Sequence, residues 1–485
     1  MNKKKSDILY TEKVLTGISR YILYISLLAV PLYMPNGYFG LIEAKAKCYS
    51  CFVIPALLVS IILIVVNTIV KLMNKDPTLP VVRGSSVFFV CISGWALFSS
   101  YCSTDRISSF YGTRGWAMGS MMTVLLVACS WVISGHLKFN INLMLPVTAV
   151  NVPIFLMAIV QAAGIDLFHL LESIPPLYCS TIGQKNSFSG YLCLLLPLFW
   201  GFYAVCTTYF SKIIYAVFSL LGFLCIILCD SDSVYAGIGF ACLFMIPFYL
   251  ESAQKAKRAG ELLLLFGLCQ IFVSSFPIFE SKISGMGDIS KWMASIPCAA
   301  GVLTAGIILY FAARNMQRGH YEKVLKALVI VSETALVMVI ALLVVYTKKH
   351  FNDSWGSSRG MIWRVTSEEF RKLSTVRKWI GVGPDLLAVP YNAIRNKMNI
   401  NLLAAHSEPL QILLTQGITG FVLYLLFWGY LFFLYIKGKV WKEKRASFFF
   451  PLAAYFGQSL LCSVYPITGI LYSVMVGIYL EQIEK

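Results

Sequence analysis

The chain is short of charge and shorter still of histidine: Asp, Glu, Lys and Arg together make up 13% of its 485 residues, and only five residues are His. A soluble domain of that length needs a charged surface that this composition cannot supply, because hydrophobic residues reach 58% and the mean hydropathy is +0.73. Metal-binding patterns are missing too. The fourteen cysteines are scattered through apolar stretches, and the close pairs, Cys48 with Cys51 and Cys225 with Cys229, have no histidine or second pair beside them. They read as thiols packed as small hydrophobes, so no structural metal is expected. Low-complexity tracts and inverted repeats are likewise absent from the sequence, which disfavours a secondary transporter.

What is present is a succession of apolar blocks. Most are helix-length, whereas barrel strands would be about ten residues with alternating polarity. The fold class expected is all-α, a polytopic integral membrane protein of about 12–14 transmembrane helices. Fourteen spans can be drawn, at 17–33, 49–72, 83–99, 116–134, 141–164, 187–209, 212–229, 234–250, 260–275, 294–313, 324–346, 408–435, 449–462 and 466–480. Residues 1–485 then form a single transmembrane domain. The first block lacks a clear small-residue cleavage site and more spans follow it, so it reads as an anchor rather than a cleaved signal.

Basic residues set the orientation. With a cytoplasmic amino terminus, 23 of the 40 Lys and Arg fall in inner segments, Lys75, Lys439, Lys442 and Lys485 among them, the short outer loops hold seven, Lys45 among them, and the remaining ten lie in one long outer segment, 347–407. Both ends are expected in the cytoplasm, in a multi-pass protein of the cell membrane. Orientation accounts for much of the net charge of +17, so no nucleic-acid partner is implied.

The outer segment 347–407 breaks the rhythm. Ile362, Val365, Leu373, Val376 and Ile380 recur on one helical stripe, while Arg364, Arg371, Lys372, Arg377 and Lys378 decorate other faces. Ser358 to Ile380 therefore reads as one or two helices on the outer membrane surface, with Trp363 and Trp379 at headgroup level, ended by Gly381 and by Gly383 with Pro384. A structureless loop of this length would be unusual, so an ordered cap that helps form a site is expected.

Three kinds of residue carry candidate chemistry. His406 stands just before an apolar run; Ser407 suits an N-cap and Pro409 a first-turn position, so a helix should start there. The positive end of that helix favours a neutral, proton-accepting imidazole, while Glu408 pulls the other way or orients the ring. An interfacial hydrogen-bonding role is the plainer alternative. Arg359, in "WGSSRGMIWR", is flanked by hydroxyls and Gly360, a setting in which a guanidinium can meet a diphosphate; Arg364 and Arg114 are further candidates, with lipid headgroups as the competing partner. Glu333 lies inside a span, where an ionisable group is expensive; pairing with a neighbouring cation, or holding Ser332, would be a structural role. Asp230 and Asp232 could reach the same outer cavity, or Asp232 or Ser231 could simply cap a helix.

Several segments, in this order, resemble the O-antigen ligase and polymerase family, the multispanning Wzy-type and WaaL-type glycosyltransferases. "GSSRGMIWR" (356–364) precedes "WIGVGPDLL" (379–387) and "AHSEPLQILLTQGITG" (405–420), and upstream "FYGTRGWAMG" (110–119) and "STIGQKNSFSGYLCLLLP" (180–197) also fit. The matches cover about 98–433. The sequence departs from the family in "SDSVYAG" (231–237), where Val234 stands at a position expected to be arginine; that anion contact is missing here or is taken by Lys185 or Arg114.

The resemblance implies a GT-C-like fold and a metal-independent, cofactor-free transfer of a glycan from a polyprenyl diphosphate to a glycan or glycolipid acceptor. By it, Arg359, Arg364, Arg114 and Lys185 would hold the diphosphate and His406 would serve the acceptor hydroxyl, with Glu408, Asp232 and Glu333 in support. Membrane lipids and polysaccharide-export or chain-length machinery are the partners it implies. It leaves polymerase against ligase open. The rival is a lipid-linked glycan or polysaccharide flippase, which would line a central path with charge, whereas here the polar residues gather at one face.

Overall fold

A computed structural model of the chain describes residues 2–73, 83–166, 178–315, 318–387, 404–438, 440 and 443–484. Lys75, Lys439, Lys442 and Lys485, counted above as inner charges, and residues 388–403 of the long outer segment lie outside them. The protein is a mostly α-helical, multi-pass membrane protein. Each of the fourteen apolar blocks lies within or overlaps a helix, and eleven helices among the described residues are long and apolar enough to cross a membrane.

Three further helices carry the remaining apolar blocks. Ser120–His136 is an apolar helix of 17 residues, a rise of about 26 Å. Arg318–His350 has 33, with Ala327–Met338 an apolar stretch inside it, and the sequence stays apolar through Tyr346. Phe450–Ser459 has 10, a rise of about 15 Å that covers half of a hydrocarbon core.

The chain divides into two compact units, Met1–Val147 with Trp363–Leu434 and Ser463–Lys485, and Thr148–Ile362 with Tyr435–Cys462. Each is organised around one enclosed helix. In the first unit this is Pro466–Ile483, 83% of whose apolar window is buried. Its backbone is reached closely: Ser130 donates its hydroxyl to the Ser473 carbonyl at 2.8 Å, and Gly477 lies where a Cβ would come within 2.7 Å of Ile133. Small residues at such crossings let helices pack without a hydrophobic driving force from lipid.

In the second unit the enclosed helix is Lys185–Val205, 94% buried in its apolar window, and its sequence is apolar all round after the polar first turns. Tyr191 donates to Asn151 Oδ1 at 2.7 Å, and Phe199 packs on Phe218 with ring centroids 4.3 Å apart. Near its far end Glu261 is shared by Tyr203, Lys212 and Arg258 at 2.6, 3.1 and 3.0 Å, which compensates a carboxylate carried on a spanning helix.

Lys45 turns out not to be a loop charge. It lies in the 33-residue helix Leu41–Met73, is 1% exposed, and donates to the carbonyls of Val30, Pro31 and Tyr33 at 2.8, 2.9 and 3.0 Å. The carbonyls at the end of a helix have no partner within it, and an ammonium has three donors to give.

Candidate functional site

In the first unit the site is built on a broken helix. Glu408–Lys437 begins as expected, with the Gln411 N–H donating to the Ser407 carbonyl at 2.9 Å, but Gly417 adopts φ 71°, ψ −173° inside it. The carbonyls just before such a break lose their helical partners and must find others. Those of Leu414 and Thr415 accept from the N–H groups of Val382 and Gly383 at 3.2 and 2.8 Å, and that of Gln416 from Trp95 Nε1 at 2.9 Å. Ser99 donates to the Ile380 carbonyl at 2.8 Å. The segment around Gly381 to Gly383 is thereby laced onto the end of the short helix that starts at Glu408. Gly381, at φ 85°, has no room for a side chain: a Cβ would fall 2.2 Å from the Thr415 carbonyl oxygen.

Two residues further on, Asp385 joins this platform to the loop that carries Arg114. Its Oδ2 accepts from the Thr113 N–H at 2.7 Å, the Thr113 hydroxyl at 3.1 Å and the Met118 N–H at 3.1 Å. The carboxylate is 7% exposed, and burial pushes its pKa up to about 6 against the pull of those three hydrogen bonds. The loop it fastens, Thr113 to Met118, is closed by Trp116 and Ala117 N–H groups on the Thr113 carbonyl, both at 3.0 Å, and the Trp116 ring packs at a tilt against Tyr465, centroids 4.7 Å apart. Arg114 itself is exposed and lies within Coulombic reach of Glu43.

His406 sits two residues before the helix at φ 48°, half-buried, with Nδ1 closed off from solvent. Glu408 opens the first turn, where a carboxylate favours the helix dipole. The surface helices take the two-piece form: Trp355–Lys372, then Thr375–Ile380 capped by Ser374 and stopped at Gly381. Their apolar stripe divides, Ile362 and Val365 being buried while Val376 is exposed. Arg364 is exposed and makes an i,i+4 pair with Glu368 at 3.1 Å, a local contact that accounts for much of its setting.

The second unit gathers the other polar motifs. Lys185 pairs with Asp230 Oδ2 at 2.9 Å, and Asp230 Oδ1 accepts from the Gly287 N–H at 3.0 Å. Asp232 lies within Coulombic reach of Arg359, Lys185, Asp230 and Asp288. Arg359 follows three residues in the left-handed region, Gly356, Ser357 and Ser358 at φ 60°, 58° and 71°. Such conformations cost energy and recur at functional sites. Its Nε donates to the Leu461 carbonyl at 3.0 Å and its Nη1 to that of Gly356 at 2.9 Å, which occupies two of a guanidinium's five donors and fixes the plane.

Behind these charges lies a buried amide and hydroxyl network. Ser231 donates to Asn186 Oδ1 at 3.0 Å, Ser189 and Ser233 hydroxyls meet at 2.8 Å, and Gln458 Nε2 reaches the Asn186 carbonyl and Ser189 hydroxyl, both at 3.3 Å. Ser231 thus faces the network and makes no side-chain cap on the helix that follows. Val234 is fully buried beside this network. Glu333 stands apart: among the described residues its Oε1 has no hydrogen-bond partner, and Ser332 bonds instead to the Leu328 carbonyl of its own helix at 2.6 Å.

The structure therefore joins Arg114 to the platform beyond His406 within one unit, and brings Lys185, Asp232 and Arg359 together within the other. Asp385, Asn186, Ser233 and Gln458 escaped the sequence reading. The glycine and proline before Asp385 marked a turn, which is where Asp tolerates the left-handed φ of 61° it adopts. No family model, curated protein or solved structure matches the chain.

One prediction concerns the break itself. Alanine at Gly417 would hold a left-handed φ and place Cβ 2.3 Å from the Trp379 carbonyl oxygen. Gly417→Ala should cost on the order of 2–4 kcal/mol, read as a lower unfolding temperature of the detergent-solubilised protein. Gly429→Ala, where nothing lies within 4 Å, should leave it unchanged.

Proposed function

We propose that the protein is a membrane glycosyltransferase of the O-antigen-ligase or polysaccharide-polymerase kind, which moves a glycan from a polyprenyl diphosphate to an acceptor on the outer face of the cytoplasmic membrane. Both chain ends lie in the cytoplasm in this reading. The observation that carries it is the gathering of the resembling segments. Those at 110–119, 379–387 and 405–420 interlock through Asp385 and the broken helix, and those at 180–197 and the Arg359 end of 356–364 meet around Lys185 and Asp232, the latter in the divergent segment 231–237.

The chemistry that fits is direct displacement. The acceptor oxygen forms a bond to the anomeric carbon as the bond from that carbon to the diphosphate oxygen breaks; the hydroxyl proton passes to His406, and the electron pair leaves on the polyprenyl diphosphate. Arg359, already oriented by two backbone carbonyls, meets the growing negative charge, with Arg114 as a more exposed anion contact. Lys185 is engaged by Asp230, so it serves this charge by exchanging partners.

The test is transfer by the purified protein in nanodiscs, given a lipid-linked oligosaccharide isolated from the source cells. Longer lipid-linked chains mean polymerisation, and movement to a different acceptor means ligation. An unconsumed donor that instead crosses the bilayer of proteoliposomes would replace this reading with the flippase.

A further inference from the structure

The first unit holds a cavity of about 940 Å³ that the transfer reading does not use. It lies at the other end of the helix Gly84–Tyr101 from the platform described above: Gly84 lines the cavity, whereas Ser99 holds the Ile380 carbonyl, about 22 Å further along the axis. One wall is a single helical stripe, Ile64, Asn67, Thr68 and Lys71, at the last turns of Leu41–Met73. Facing it, the end of Ser120–His136 supplies Trp131 and His136, followed by Lys138 in a left-handed conformation at φ 48°.

The charges around this space do not cancel. Lys71, Arg83 and Lys138 are set against Glu12 and Glu484, and His136 adds a further titratable group within Coulombic reach of Glu12 and all three cations. Of the two carboxylates, Glu484 is committed: it accepts from the Ser85 N–H at 2.9 Å, from the Ser85 hydroxyl and from the Tyr430 hydroxyl. Its charge is thus spent on the first turn of Gly84–Tyr101. Arg83 is braced by the Ser134 carbonyl, which fixes the direction of its guanidinium. The lining that remains sets two ammonium groups and a guanidinium, opposed by the single Glu12 carboxylate, beside an amide and a hydroxyl, Asn67 and Thr68, and an indole. That combination matches a phosphate ester on a partly apolar body, and the size is ordinary for a ligand site.

We propose that this cavity binds a phosphate-bearing anion, the headgroup of an anionic lipid or a soluble phosphate ester, at the end of the first unit away from the transfer site. The proposal is independent of the transferase reading, since binding is measured without turnover. The probes are dioleoylphosphatidylglycerol, dioleoylphosphatidylcholine and glycerol 1-phosphate, added to the delipidated full-length protein in neutral detergent and followed by native mass spectrometry. The wild type should retain phosphatidylglycerol at least tenfold more strongly than phosphatidylcholine. The double variant Lys71→Gln, Lys138→Gln should lose most of that preference, and Lys71→Arg, Lys138→Arg, which keeps the charge, should restore it. Competition by glycerol 1-phosphate would identify the phosphate ester itself as the ligand; a lack of competition, with the lipid preference intact, would identify the lipid. Equal retention of the two lipids by the wild type together with no binding of glycerol 1-phosphate overturns the proposal, as does unchanged phosphatidylglycerol binding in the glutamine double variant.

Discussion

Replacing His406 by asparagine should reduce glycan transfer by about 10²–10⁴-fold while membrane abundance stays near that of the wild type. Asparagine is the informative choice. His406 holds a left-handed φ of 48°, which asparagine tolerates better than alanine, and it stands outside the helix that begins at Glu408, so neither cap nor helix is altered. What disappears, in the mechanism proposed above, is the group that takes the acceptor proton. Arg359→Lys should also fall, by about 10²–10³-fold, because an ammonium cannot reproduce the fork that the Leu461 and Gly356 carbonyls hold in place. Polymer yield and chain length in cells, with the variants quantified in membranes, are the measurements. Wild-type yield from both variants at matched abundance would remove these residues from the chemistry.

The helices were legible in the sequence because burial in lipid or in protein makes the same demand on composition, and long apolar runs satisfy it. For that reason hydropathy found Lys185–Val205 and Pro466–Ile483 without revealing that protein, rather than lipid, covers them. The break at Gly417 was invisible to the same signal. Apolar residues continue on both sides of it, and a lost hydrogen bond leaves hydropathy unchanged; only the glycine in "TQGITG" hinted at it. Lys45 was misread as a loop charge because the helix that carries it runs to 33 residues, longer than a bilayer needs, and so takes in positions that a span of ordinary length would leave outside. In the candidate site, charge beside glycines and hydroxyls singled out Arg359 and Lys185, and the place before an apolar run singled out His406. Asn186, Ser233 and Gln458 bear no charge, and their hydrogen bonds join helices far apart in sequence, so periodicity along the chain carried no trace of them.

Asp385 shows how one loop carboxylate can carry the geometry of a site. Asp385→Ala would leave the Thr113 and Met118 N–H groups without their acceptor and keep a left-handed φ of 61° on a residue that gains nothing from it. Unsatisfied buried donors cost about 1–3 kcal/mol each, so the loss should be on the order of 3–5 kcal/mol, seen as a lower unfolding temperature and a disordered Arg114 loop that proteases cut. Asp385→Asn keeps an acceptor and the backbone preference, and should cost much less. The two differ also in pH dependence. In the folded chain the Asp385 carboxyl titrates near 6, above the ordinary value of 3.8, because burial opposes its charge. Between those values the unfolded chain has released the proton that the folded chain still holds. Stability from this group is therefore full below about pH 4, declines as pH rises through the window, and is level above 6, a change of about 3 kcal/mol. The asparagine variant has no proton to release, so its stability relative to the wild type should rise by about that amount from pH 4 to pH 7. A constant difference across that range would mean that the carboxylate is already ionised at pH 4, with the Thr113 and Met118 hydrogen bonds outweighing burial.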